Sequence, residues 1–338
     1  MRRAVIVIVA GAANADAQPA PADYGFKFIT IGDVGNPGYD REDLFGHTSG
    51  RGGVDYEFRI ARTEITSEQF AEFQNAYLTA GQPVGSVGAY FWGGYFDDGR
   101  YVVPSGNELL PVSGINWRGA AVICNWLHNG KGTDPADFTS GAYDTSTFTR
   151  VPGSNVLVND QATRSPGAKY WIPSFDEWLK AAHWDPDKNG PGEGGWWLFN
   201  NGSDTQPIGG LPGEGETTAG YDFASLGEAY AIPLEAYPST RTPWGLLDTS
   251  GGGAEWTEEW LHGTPEIRIA QGNATGQQIY WPDDPKSFSP DIAWSISGTN
   301  PNINLLEFSF RIASAVPAPG VGVMILACGG FISTRRRR

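Results

Sequence analysis

The chain is poor in sulfur and in histidine, with two Cys, two Met and four His among 338 residues. So few thiols exclude a scaffold stapled by disulfides, and stability has to come from a packed core. Charge is scarce as well, at 18% of residues against roughly 25% in an average globular chain. Basic residues are the scarcer sign: 23 Lys and Arg face 38 Asp and Glu, for a formal net charge of −15. Such an acidic balance repels phosphate backbones and excludes nucleic acid as an expected partner. Residues 24–314 also lack any charge block, linker or fixed-period repeat, so one domain of about 290 residues is expected. What is abundant is Gly and Pro, together 21% against roughly 12% on average. Thirteen Trp, 13 Tyr and 17 Phe accompany them, enough ring surface to exclude disorder. The composition describes a loop-rich domain held together by aromatic packing.

The two ends read as targeting segments. Met1-Arg2-Arg3 precedes an apolar run from Ala4 to Ala13 and the small residues Ala15 and Ala17. That order fits a signal peptide over residues 1–17, removed by signal peptidase near Ala17. A buried strand would suit the Val/Ile alternation but not the arginine pair. At the other end Val316-Pro317-Ala318-Pro319-Gly320 leads into an apolar stretch from Val321 to Ile332 and then Arg335 to Arg338. A proline-rich motif, a short hydrophobic helix and a basic terminus resemble the PEP-CTERM sorting signal, with Ala318 in place of the motif's Glu. The resemblance covers 316–338 and implies export to the cell envelope or exterior, transient membrane anchoring and processing by an exosortase. Without residues 1–17 and 320–338 the formal charge is about −20.

Three helices are predicted with a mechanism for each start. Thr66 and Gln69 form a capping box ahead of Phe70, Phe73 and Tyr77. Asn116 precedes Trp117, Ala120, Ala121, Cys124 and Leu127 at helical spacing, and Ser174 with Glu177 forms a second box ahead of Trp178, Ala181 and Ala182. Short strands are expected at Phe26 to Ile31, Glu57 to Ile65, Ile267 to Ala270 and Phe308 to Ala313. Long polar segments, 128–168 and 185–230, join them and are where binding is expected.

Several of these stretches match one family in order: Phe58 to Phe73, Pro111 to Leu127, Tyr170 to Ala182, Trp244 to Trp260, Ile267 to Asn273 and Phe308 to Ile312. Together they resemble the formylglycine-generating enzymes, or sulfatase-modifying factors. The resemblance implies an α+β, loop-rich, C-type-lectin-like fold with few short helices and strands. It also implies a pair of late cysteines that bind copper and engage a substrate thiol, because thiolate suits that soft-metal redox chemistry. No cysteine lies between Cys124 and Cys328, and Cys124 reads as a small core residue, so no copper is expected. A related enzyme type holds iron with histidines. Here His47, His128, His183 and His262 include no H-x-x-x-H or H-x-H pair, and each reads as a surface or loop histidine unless distant ones converge. No nucleophile motif or phosphate-cradling loop is present.

Calcium is the one cofactor with support. Asp185, Asp187 and Asn189 alternate ahead of Gly190 as in the opening half of an EF-hand loop, though Trp196 stands where its closing Glu belongs; a polar turn is the other reading. The family also holds calcium around the segment matching Ser250 to Trp256, where Gly252 replaces its Asn. Glu255 is therefore either a calcium ligand or a buried hydrogen-bonding residue. Tyr90, Phe91, Trp92, Tyr95, Phe96, Trp196, Trp197 and Trp281 fall outside the matching segments. They either stack on sugar faces or plug the loops into the core. The leading expectation is a non-catalytic binding or structural module with a polysaccharide or envelope protein as partner. The alternative is an oxidoreductase with an atypical metal site.

Overall fold

The structure is a computed structural model that describes residues 20–41, 43, 45–274, 293 and 296–316. The expected signal peptide, most of the sorting tail and Trp281 lie outside the described residues. Residues 21–316 form one compact unit. Its strands are β1 (Phe28–Ile31), β2 (Phe58–Ala61), β3 (Tyr95–Asp97), β4 (Arg100–Val102), β5 (Tyr170–Trp171), β6 (Trp184–Asp185), β7 (Gly195–Trp196), β8 (Ala254–Trp260), β9 (Arg268–Gln271), β10 (Ser297–Thr299), β11 (Phe308–Ser309) and β12 (Ala313–Ala315). One sheet has the antiparallel order β1-β2-β12-β5, and a second runs β10-β9-β8-β11, with β11 parallel to β8. Two hairpins, β3-β4 and β6-β7, stand apart from both.

The three helices start where their caps place them. In α1 (Ser67–Thr79) the Thr66 hydroxyl accepts from Gln69 N–H at 3.3 Å while the Gln69 side chain accepts from Thr66 N–H at 3.0 Å. Asn116 accepts from Gly119 N–H at 2.8 Å to open α2 (Trp117–His128). Ser174 and Glu177 close a reciprocal box at the start of α3 (Phe175–His183). The aromatic faces of α1 and α2 pack with the first sheet and β8 into one core that includes Phe58, Phe73, Trp117, Trp126, Trp256 and Phe310. Buried indoles need a partner for their N–H, and two find it reciprocally: Trp117 donates to the Thr257 carbonyl at 3.0 Å and Trp256 to that of Ile115 at 2.8 Å.

The strand expected over Phe308 to Ala313 is two strands in two sheets. Phe308 pairs with Ala254 in one, and Ala313 pairs with Ile60 in the other. Between them Arg311 turns inward and donates to the carbonyls of Ala61, Arg62 and Leu247, so the chain changes sheets around a buried guanidinium. Glu57 to Ile65 contracts likewise to β2, and the β3-β4 hairpin was not anticipated. The segments 128–168 and 185–230 hold little regular structure beyond 3-10 turns, isolated bridges, the end of β6, the two-residue strand β7 and one helical turn at Leu226–Ala229. No helix among the described residues is long and apolar enough to cross a membrane.

Candidate functional site

A cleft of about 660 Å³ opens between the loop at 163–168, the entry to β2 and the end of β12, with Tyr56, Arg164, Trp171 and Glu258 among its lining. Three separate parts of the fold build its floor. β8 delivers Glu258, and the capping box of α3 fixes Glu177, whose Oε2 accepts from Ser174 N–H at 2.7 Å and Trp171 Nε1–H at 3.0 Å. The loop brings Arg164 between them, 2.9 Å from Glu177 and 3.0 Å from Glu258. Its guanidinium lies 4.2 Å over the Trp171 ring and donates to the Tyr56 hydroxyl at 3.0 Å. Tyr56 in turn donates to Glu177 at 2.9 Å. Each neighbour therefore holds the arginine in one geometry, which is what preorganisation of a binding group requires.

The electrostatics are uneven. Two buried carboxylates share one arginine, and the charge of Glu258 is left short of compensation. Desolvation raises the Glu258 pKa from 4.5 to about 7, Glu177 adds to the rise, and Arg164 opposes it. Glu258 also accepts from the Tyr143 hydroxyl at 2.7 Å and from Arg164 N–H at 2.7 Å. Burial, with the Glu177 charge, pushes the Tyr56 hydroxyl up. At neutral pH the floor can present Glu258 as either donor or acceptor, with Arg164 fixed beside it.

A second buried network surrounds Arg311. Its Nε and Nη2 pair with both oxygens of Glu255, and Glu255 Oε2 accepts from Trp178 Nε1–H at 2.7 Å. Glu64 stands close by, accepting from Gly253 N–H at 2.8 Å through one oxygen while the other is buried without a hydrogen-bond partner among the described residues. Burial and then the Glu255 charge push its pKa well up. A side chain at Gly252 would start within 3 Å of that carboxylate, at a φ of +64° that favours glycine.

Of the residues expected to hold calcium, Asp185, Asp187 and Asn189 share the β6-β7 turn, and Glu255 lies in β8 against Arg311. Asp185 accepts from Asp187 N–H at 2.9 Å and Trp197 Nε1–H at 3.0 Å, and Asp187 accepts from Gly192 N–H at 2.7 Å. The Asn189 amide donates to the Gly194 carbonyl at 3.1 Å. These oxygens close the β6-β7 hairpin on itself, while Glu255 is engaged by Arg311. Calcium takes six to eight oxygens, and this donor set does not fit it. Among the described residues no group of three or more His, Cys, Asp or Glu is arranged for a metal ion. Cys124 is fully buried in α2, and burial pushes its thiol pKa well up.

The histidines and rings divide. His183 is buried at the end of α3, unlike the surface or loop position expected, and His128 Nδ1 accepts from Lys169 N–H at 3.1 Å. His47 and His262, 215 positions apart, converge with ring centres 5.6 Å apart. Trp196 plugs the core, Phe91, Trp92 and Trp197 are half-buried, and Tyr90, Tyr95 and Phe96 are 58%, 53% and 43% exposed. Sequence reasoning missed Arg164, Tyr56 and Glu258 as a group. A glutamate flanked by tryptophans in a strand buried along its length was the available signal for Glu258. Arg164 carried none, because it sits in an irregular loop.

A family profile for the sulfatase-modifying factor enzyme 1-like domain matches residues 34–295. Among solved structures the chain is similar to Treponema denticola variable protein 1, at 17% identity and a TM-score of 0.50 over 90% of this chain and 100% of that one. CarF aligns at 15% identity and 0.49 over 87% and 99%, and PvdO from Pseudomonas aeruginosa at 13% and 0.44 over 90% and 100%. No curated protein matches. The first structural likeness is one of fold alone, and the family match spans well over half the sequence. With its loop-rich α+β architecture of the C-type-lectin-like kind, the chain belongs to the sulfatase-modifying factor enzyme 1-like domain family.

Proposed function

We propose that this chain is an exported binding module on a sulfatase-modifying-factor scaffold that has given up formylglycine chemistry. The observation that carries the reading is the pairing of a preorganised cleft with a domain whose only thiol, Cys124, is buried in the core. Oxidation of a substrate cysteine on copper needs accessible thiolates, and neither the matched family segments nor the cleft supplies one. The cleft supplies a fixed guanidinium, a hydroxyl and a carboxyl group along an apolar wall, which suits recognition of a ligand with several hydrogen-bonding groups. A polysaccharide of the envelope or matrix is the ligand class, a reading favoured also by the outward rings of Tyr90, Tyr95 and Phe96. The targeting segments at both ends support delivery there through signal peptidase and an exosortase.

The test combines two measurements on the purified protein. Incubation with copper, oxygen and a sulfatase-motif peptide should leave the cysteine unchanged by mass spectrometry. Titration with envelope glycans should quench or shift tryptophan emission, and Arg164→Ala should abolish that response. Formylglycine product, or glycan binding indifferent to Arg164, would overturn the reading.

A further inference from the structure

His47 and His262 have no role in the cleft or in the Arg311 network. Their ring centres are 5.6 Å apart with planes inclined at 44°. Two imidazoles sharing a tetrahedral zinc, with Zn–N of about 2.0–2.1 Å, place their ring centres roughly 5 Å apart. Neither imidazole is engaged in a hydrogen bond or ion pair among the described residues, and His262 is exposed while His47 is half-exposed.

Both backbones are fixed independently of any ion. The Asp43 carboxylate accepts from the N–H groups of Phe45, Gly46, Thr48 and Ser49 at 2.7 to 3.1 Å, clasping the turn that carries His47. Thr48 is buried and donates to the Ala293 carbonyl at 3.2 Å, which anchors that turn to the body. On the other side β8 runs into a 3-10 turn, Leu261–Gly263, where His262 is held at φ +55° and ψ +25°. A β-carbon in the left-handed region is unfavourable, and such positions persist where the surroundings over-determine them. Leu261 N–H donates to the Ile267 carbonyl at 2.9 Å and Thr264 N–H to that of Leu261 at 3.2 Å, pinning both ends of the turn. Two separately anchored turns therefore hold two imidazoles at a spacing that one ion can bridge.

We infer that His47 and His262 form a two-point chelate for a divalent transition-metal ion of the zinc class, with the remaining coordination positions open to water or to a bound ligand. Imidazole selects such ions over calcium and magnesium, which prefer oxygen. An ion there would clip the loop after β1 to the end of β8, two segments far apart in sequence, and lower the freedom of both.

The experiment uses the full-length chain free of any affinity tag. Zinc chloride is titrated calorimetrically at pH 7.5 with millimolar calcium and magnesium present. One ion should bind per chain, His47→Ala and His262→Ala should each weaken binding about tenfold or more, and His128→Ala should leave it unchanged. Both substituted positions lie at the surface, and near-ultraviolet circular dichroism checks that each variant keeps its fold. Absence of saturable binding in the unaltered chain, or binding that either variant leaves intact or that His128→Ala weakens equally, would overturn the chelate.

Discussion

Glu258 concentrates the physical tension of the cleft in one side chain. Its folded pKa of about 7 exceeds the ordinary 4.5, so between those values the folded chain holds a proton that the unfolded chain has released. Linkage then makes this group's contribution to stability fall as pH rises through that window, by about 3 kcal/mol at most. His183 acts in the opposite sense: burial lowers its pKa to about 3, so its contribution is lost as pH falls below the ordinary 6.5. Comparison with Glu258→Gln isolates the first effect, because an amide keeps the Tyr143 contact and does not titrate. The expected outcome is that the variant gains stability relative to the unaltered chain between pH 5 and pH 7.5, measured by urea unfolding at each pH. A constant difference across that range would mean Glu258 is ionised throughout.

At the scale of elements, the three helices owe their starts to side chains within three residues of each end, which is why the spacing of Thr66 with Gln69 and of Ser174 with Glu177 was legible. The Ser174 box has a second consequence, because Glu177 both caps α3 and holds Arg164. Ser174→Ala should cost about 1 kcal/mol of stability through the lost cap. The Ser174 N–H still reaches Glu177, so the cleft should keep its ligand affinity; chemical denaturation and a binding titration check the two halves separately. Strands were less legible. The run Phe308 to Ala313 alternates as one strand would, and only the burial of Arg311 against Glu255 and three carbonyls explains why it divides between sheets.

Across the whole molecule, residues 21–316 form one unit without a disulfide, and Cys124 is a free thiol inside its core. The described domain should therefore unfold in a single calorimetric transition whose midpoint is unchanged by a reducing agent. A shift on reduction would reveal a cross-link through Cys328. The abundance of Gly, Pro and aromatic residues fits this architecture: long irregular segments cross the surface, and Trp117, Trp178, Trp196 and Trp256 are buried where they return to the core.

The sequence by itself determined the family, the helix starts, the loop-rich character and the absence of a thiol pair, because each depends on residue identity or on spacings of a few positions. Tertiary structure alone decided that Arg164, Glu177, Glu258 and Tyr56 share a cleft, that His47 meets His262, and that Asp185 and Asp187 accept bonds from their own segment. It also sorted the rings, burying Trp196 and leaving Tyr95 and Phe96 outside. The reason is physical: a cap or a buried stripe is a local bond pattern repeated wherever its residues recur. A site is a coincidence of distant segments, set by how two sheets and their connecting loops close around one core.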